Sequence, residues 1–186
     1  YNQAAGTWVD VTFPPVDTSA NVIRGQTTSL SQFILAIPTD AVLAFDCPLQ
    51  FDGIDDYFST PYVLNPAEGP FTVVAWIRGG APGQVIISQK GVSNWLLADP
   101  SKGMLMSELG GRVLKSGAII TDGIWHYVHL VWDGFRRTLY VDGVTVAADP
   151  IAGLQSSNAG LYIGTGRNLE AGSFWSGMID EVRIYK

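Results

Sequence analysis

The sequence is poorest in the groups that covalent and electrostatic chemistry depend on. Its 186 residues include one cysteine, two histidines and 11 Lys+Arg against 17 Asp+Glu, a formal charge of −6. A lone Cys47 excludes an internal disulfide, and its setting, Phe45-Asp46-Cys47-Pro48-Leu49, suits a small buried filler. A phosphate backbone needs a basic stripe, which is missing, so no nucleic acid is expected as a partner, nor an anionic membrane surface. No apolar run approaches the ~18 residues of a membrane span, so no membrane insertion is expected. No charged-then-apolar leader precedes Tyr1, and a start without Met is expected of a processed or excised piece. Charged residues make up only 15% against 47% hydrophobic, the reverse of the balance that keeps a chain disordered.

What is present in quantity is β-forming residues and turn residues, with Gly 21 and Pro 10. Residues 125–148, WHYVHLVWDGFRRTLYVDGVTVAA, hold three short apolar runs split by Asp133-Gly134 and Asp142-Gly143. Asp-Gly between such runs predicts hairpins, because both central residues of a type I′ turn need φ > 0. The spacing predicts a tight hairpin through Asp142-Gly143, a longer loop over 133–137, and a three-stranded antiparallel meander. Residues 71–77, FTVVAWI, are apolar on both faces and predict a central strand. Further strands are expected at 84–89, 95–98, 104–109, 161–163 and 174–185. Turn signals about every ten residues predict an all-β sandwich or barrel. Residues 1–42 are weakly patterned: 8–13 alternates like a strand until Pro14-Pro15 stop it, and 33–37 and 41–45 suit strands as well.

Taken in order, LQFDGIDDYF, FTVVAWIR, IISQKG, TDGIWHYVHLVWDG, LYVDGVTV, LYIGTG and FWSGMIDEVRIY resemble the laminin-G-like domains of the concanavalin A-like lectin/glucanase fold. The resemblance spans residues 43–186. It implies an antiparallel two-sheet β-sandwich of jelly-roll type. Residues 1–42 are left as an unmatched N-terminal segment, either extra strands or an arm that docks on a partner. The fold serves lectins, adhesion domains, hydrolases and architectural modules alike, so function has to be argued from the site.

The hydrolases of that fold carry a Glu-x-Asp-x-x-Glu-like array on one strand. Glycoside cleavage needs two carboxyl groups roughly 5 to 9 Å apart, which a two-residue strand spacing supplies. Here Glu68, Glu108, Glu170 and Glu181 are scattered, while the adjacent pairs Asp55-Asp56 and Asp180-Glu181 would face opposite sides of a strand. His126 and His129, three apart, would also face opposite sides, and the resemblance makes the first a framework residue. No Gly-x-Ser-x-Gly is present. An enzyme is not expected.

Asp52-Gly53-Ile54-Asp55-Asp56 supplies three carboxylates and flexible carbonyls, hard oxygen ligands suited to Ca²⁺. The resemblance implies a structural calcium near the first and last strands, with Asp180 at the matching place. The expectation is a stabilising calcium held by Asp180 and backbone oxygens near Asp52 or Gly53. The alternative is a tight turn capped by Asx hydrogen bonds from Asp52, Asp55 and Asp56.

Sugars stack their apolar faces on Trp or Tyr rings that also carry a polar handle. The resemblance places Trp76, Trp125, Trp132 and Trp175 on framework positions in the core, and Trp8 outside the match. Trp95, after Gly91-Val92-Ser93-Asn94, is the preferred platform, with Asn94, Tyr57 and Arg112 as further ligand-binding candidates. Tyr62, Phe135, Tyr162, Arg167 and Asn168 are secondary ones. Arg136-Arg137 suits an acidic glycan, or is simply solvated or salt-bridged. The expected function is a non-catalytic, secreted or surface-exposed module that recognises carbohydrate or a protein partner. The rival is an architectural domain that self-associates or docks on a scaffold through its N-terminal segment, as in a pilus, a surface layer or the decoration of a virus particle. A glycan-active enzyme comes third.

Overall fold

The structure is a computed structural model that describes residues 48–186. The strands expected at 8–13, 33–37 and 41–45, the docking arm expected over 1–42, Trp8 and Cys47 lie outside the described residues. The described strands are β1 (Leu49–Asp52), β2 (Phe58–Tyr62), β3 (Phe71–Gly79), β4 (Val85–Gln89), β5 (Ser93–Ala98) and β6 (Met104–Ser107). They continue with β7 (Leu114–Ile119), β8 (Trp125–Trp132), β9 (Arg136–Val141), β10 (Val144–Pro150), β11 (Gly160–Ile163) and β12 (Ser176–Tyr185). Helical structure among the described residues is limited to two 3-10 turns, Pro66–Glu68 and Leu109–Gly111. No helix there is long and apolar enough to cross a membrane.

Two six-stranded antiparallel sheets form a sandwich, one in the order β1-β12-β3-β8-β9-β10 and the other β2-β11-β4-β5-β6-β7. Period-2 alternation explains the packing. In β8, His126, Val128, Leu130 and Trp132 point inward and are buried, while Trp125, Tyr127, His129 and Val131 alternate outward. Ile77, Leu130 and Leu139 from the first sheet share one core with Trp95, Leu105 and Leu161 from the second. The FTVVAWI segment forms β3 in mid-sheet, between β12 and β8, as its apolar run predicts. The meander of β8, β9 and β10 is also as predicted. Asp142 and Gly143 turn it with φ of 52° and 79°, a conformation that glycine adopts freely and aspartate tolerates.

Two buried polar groups lock the ends. Arg137 is fully buried and grips Asp149 with two prongs, Nε to Oδ1 at 3.0 Å and Nη2 to Oδ2 at 2.9 Å. Its Nη1 donates to the carbonyls of Leu109 and Arg112, which follow β6, and so ties the first sheet to the second. That geometry removes Arg137 from any glycan-binding role. At the opposite end of β8, buried His126 lies between Asp142 Oδ2 at 2.8 Å and Asp122 Oδ1 at 3.0 Å.

Candidate functional site

Strand register, rather than sequence proximity, assembles a shelf on the outer face of the second sheet. Ser59, Tyr162, Ser88 and Asn94 fall in one row across β2, β11, β4 and β5. At the usual strand spacing of about 4.8 Å, the row spans roughly 15 Å. The middle is covered, since Ser88 and Thr165 are both fully buried and Ser88 Oγ donates to the Thr165 carbonyl at 2.8 Å, so the shelf presents its two ends.

The polar end is centred on Asn94. Its Nδ2 donates to Glu108 Oε2 at 2.9 Å, and its Oδ1 accepts from the Arg167 backbone N–H at 3.0 Å. These two bonds fix which way the amide points. The Glu108 N–H returns to the Asn94 carbonyl at 2.9 Å, and Arg167 Nη1 stands 3.6 Å from Glu108 Oε2. Both charged side chains stay partly exposed, 28% for Glu108 and 39% for Arg167. A carboxylate and a guanidinium are thus presented on a fixed base.

The other end is aromatic. Tyr57 meets Tyr162 edge-on at 5.3 Å and leans on Phe174 at 6.4 Å. Lys90 Nζ lies 5.0 Å over the Tyr162 ring and donates to Ser59 Oγ at 2.8 Å and the Thr60 carbonyl at 2.6 Å. Burial lowers the Lys90 pKa and raises that of Tyr162, the latter also through nearby Tyr57. The shelf therefore pairs ring surface with hydroxyl-binding groups of both signs.

Asn94 and Tyr57, both expected from the sequence, stand at the two ends of this shelf. Trp95 does not belong to it. It is 0% exposed and packs inside the sandwich against Phe71 at 5.3 Å, so neither of its ring faces can meet a ligand. Trp76 and Trp125 correct the framework expectation in the other direction. They lie on the outer face of the first sheet, Trp76 with 37% exposure and Trp125 partly buried. Arg112 is exposed beyond the Leu109–Gly111 turn, and among the described residues no hydrogen bond or ion pair joins its side chain to Asn94. Lys90 and Glu108 join the shelf without being expected there from the sequence. Glu108 reaches Asn94 only across β5 and β6, and a lysine closing an apolar strand is a weak local signal.

The expected calcium ligands are not brought together. β1 pairs with β12 so that Asp52 faces Ser176, four residues before Asp180, a separation along the strand of about 13 Å. Asp180 and the Asp52–Gly53 turn therefore do not fit one ion. Asp52, Asp55 and Asp56 do bring carboxylate oxygens within 4.8 Å of one another. Asp52 Oδ1 accepts from the Ile54 and Asp55 N–H groups at 2.7 and 3.3 Å, and Asp56 Oδ2 accepts from the Asp52 N–H at 3.1 Å. These are the Asx bonds of a capped turn, here carrying the chain from the first sheet to the second.

Residues 52–186 match the family model described as the concanavalin A-like lectin/glucanases superfamily. A comparison with curated proteins returned no match. Among solved structures, domain 4 of AbnA, a GH43 extracellular arabinanase from Geobacillus stearothermophilus in complex with arabinotriose, is 19% identical with a TM-score of 0.51. The match covers 69% of this chain and 65% of that one. A protein from Bacteroides ovatus ATCC 8483, assigned provisionally to carbohydrate binding, is 18% identical with a TM-score of 0.58, over 74% of this chain and 43% of that one. The LG4-5 domains of the mouse laminin α1 chain are 16% identical with a TM-score of 0.52, over 72% and 40%. This chain covers less than two thirds of each of those three, and identities this low carry the fold alone. The family match, over the same strands that build the sandwich, is the stronger statement: the chain belongs to the concanavalin A-like lectin/glucanases superfamily.

Proposed function

We propose that the chain is a non-catalytic recognition module that binds a short neutral carbohydrate along the shelf of the second sheet. The observation that carries this reading is the orientation of Asn94, held by Glu108 and the Arg167 backbone beside a tyrosine cluster. Groups already fixed in place lose little freedom when a ligand arrives, which favours binding. Tyr57 takes the apolar face of a sugar ring, Glu108 accepts from hydroxyls, and Arg167 and Lys90 donate to them. Charges of both signs on the shelf suit a neutral ligand better than an acidic one. The arabinotriose in the AbnA domain and the carbohydrate binding ascribed to the Bacteroides protein support the ligand class. A secreted or surface-exposed location, attached to a larger enzyme or adhesin, fits this role. The rival assembly reading rests on residues 1–42, outside the described residues.

The test is isothermal titration with a panel of neutral oligosaccharides. Arg167→Ala keeps the backbone N–H that orients Asn94 and removes only the guanidinium. A bound oligosaccharide is expected to lose about tenfold in affinity or more with Arg167→Ala and with Tyr57→Ala, tenfold being about 1.4 kcal/mol. No binding by any member, or equal binding by both variants, would sink the proposal.

A further inference from the structure

The opposite face of the sandwich carries a second feature that the shelf does not explain. Outward positions of an antiparallel sheet facing water are ordinarily polar. On the first sheet they carry rings instead. Trp76 pairs across the strands with Tyr127, and His129 pairs with Tyr140. The Trp76 and Tyr127 rings stack at 4.9 Å with planes 24° apart. Tyr127 meets His129 edge-on at 4.2 Å, and His129 tilts toward Tyr140 at 5.8 Å. Four rings thus cross β3, β8 and β9, whose outer members are about 10 Å apart. Burial lowers the His129 pKa, so its ring is neutral at pH 7.

Polar groups border this strip. β12 bulges between Asp180 and Arg183, with Glu181 at φ 45°, and the bulge re-aims its side chains. Arg183 Nη2 pairs with Glu181 Oε2 at 3.1 Å, each side chain more than a third exposed. Burial raises the Tyr127 pKa, as do the charges of Tyr185 and Glu181, while that of Arg183 lowers it. Asp180 stands in register with Trp76 itself.

We propose that this strip is a second saccharide-binding surface, shaped for an extended chain of neutral sugars lying across β3, β8 and β9. It shares with the reading above only the class of ligand. Trp76, 37% exposed and stacked on Tyr127 through one face, offers its other face to a sugar, and the rims of Tyr127, His129 and Tyr140 continue the apolar track across the strands, whereas the shelf's clustered charged groups grip a short ligand. The Glu181–Arg183 pair neutralises itself and Asp180 adds one carboxylate, so the border disfavours an acidic partner and presents acceptors and donors to hydroxyls. The indole and phenol rings supply stacking area with polar tips.

The experiment is adsorption of the full chain to insoluble cellulose, chitin and xylan, with affinity electrophoresis in linear arabinan. At least one polymer is expected to retain the protein, with Trp76→Ala and Tyr127→Ala weakening retention about tenfold or more. Trp76→Phe, which keeps a stackable ring, is expected to restore most of it and guards against a folding defect. Lys102→Ala, an exposed turn residue of neither surface, is expected to leave retention unchanged. Retention by none of the polymers, or undiminished retention of Trp76→Ala, overturns the strip. Retention lost with Arg167→Ala but not with Trp76→Ala assigns polymer binding to the shelf and also overturns it. Trp76-dependent retention with no oligosaccharide bound by titration would leave the strip standing and the shelf refuted.

Discussion

Replacing His126 by phenylalanine should cost more stability in acid than in alkali. Both ring nitrogens of His126 face carboxylate oxygens, Asp142 at 2.8 Å and Asp122 at 3.0 Å, so only the doubly protonated imidazolium can donate to both. Burial opposes that charge, but the hydrogen bonds and charges of Asp142 and Asp122 outweigh it and raise the pKa above its ordinary 6.5. Hydrogen bonds to charged groups are worth roughly 1.5–3 kcal/mol each when well shielded. Here the Asp122 and Asp142 side chains are 42% and 47% exposed, and solvent screening brings each contribution nearer 1 kcal/mol. The pair is then worth about 2 kcal/mol, or roughly 6 °C in melting temperature for a domain of this size.

The sign follows from proton linkage. With its pKa raised, the folded state holds the proton more tightly than the unfolded chain. The stabilisation is complete below 6.5 and is lost as pH rises through the higher folded value. His129 has the opposite shift, lowered by burial, and so destabilises the fold as pH falls through the same region. It is present in both proteins, so the difference between wild type and His126→Phe cancels it. Calorimetric melts at about pH 5 and about pH 9 are expected to show the roughly 6 °C gap in acid shrinking to about half in alkali, where the neutral ring keeps one N–H to donate. A gap of equal size at both pH values would mean that packing, not the imidazolium, carries the effect. The clamp also bears on the ring strip. Asp142 Oδ1 accepts from the Tyr127 N–H at 2.8 Å, so the clamped turn braces the strand that carries Tyr127.

Asp149→Ala should be among the most damaging single changes in the first sheet. It strands the fully buried Arg137 charge, a loss of about 3–5 kcal/mol, and the melting temperature is expected to fall on the order of 10 °C. A fall of only a degree or two would mean that the carbonyls of Leu109 and Arg112 satisfy the guanidinium without it. Asp180→Asn, by contrast, should leave the melting temperature the same as wild type in calcium and in chelator, because register holds it about 13 Å from Asp52. A calcium-dependent stabilisation abolished by that substitution would contradict the β1–β12 pairing.

What was legible in the sequence is what depends on near neighbours along the chain. Apolar alternation, Asp-Gly turns and recurrent glycine predict short antiparallel strands, and the order of motifs predicts the sandwich that the structure contains. The β8–β9–β10 meander and the Asp142–Gly143 turn are as predicted because hairpin geometry is settled by the residues of the turn itself. Tertiary structure decided where side chains meet. Ser93-Asn94-Trp95-Leu96-Leu97-Ala98 has no clean alternation, so period alone could not tell that Trp95 faces the core while Leu97 joins a separate cluster with Val85 and Met106. β4 and β5 shift register around Ile87, which moves side chains between faces in a way no local pattern records. In FTVVAWIR, conversely, the alternation was present: Val73, Ala75 and Ile77 face inward and Trp76 outward, but a strand rich in apolar residues hid it. Asn94 meets the Arg167 backbone across 73 residues, and Asp180 misses Asp52 by four positions of strand register. Those are long-range pairings, chosen by which sheets pack and how strands slide, and a sequence of local preferences does not contain them.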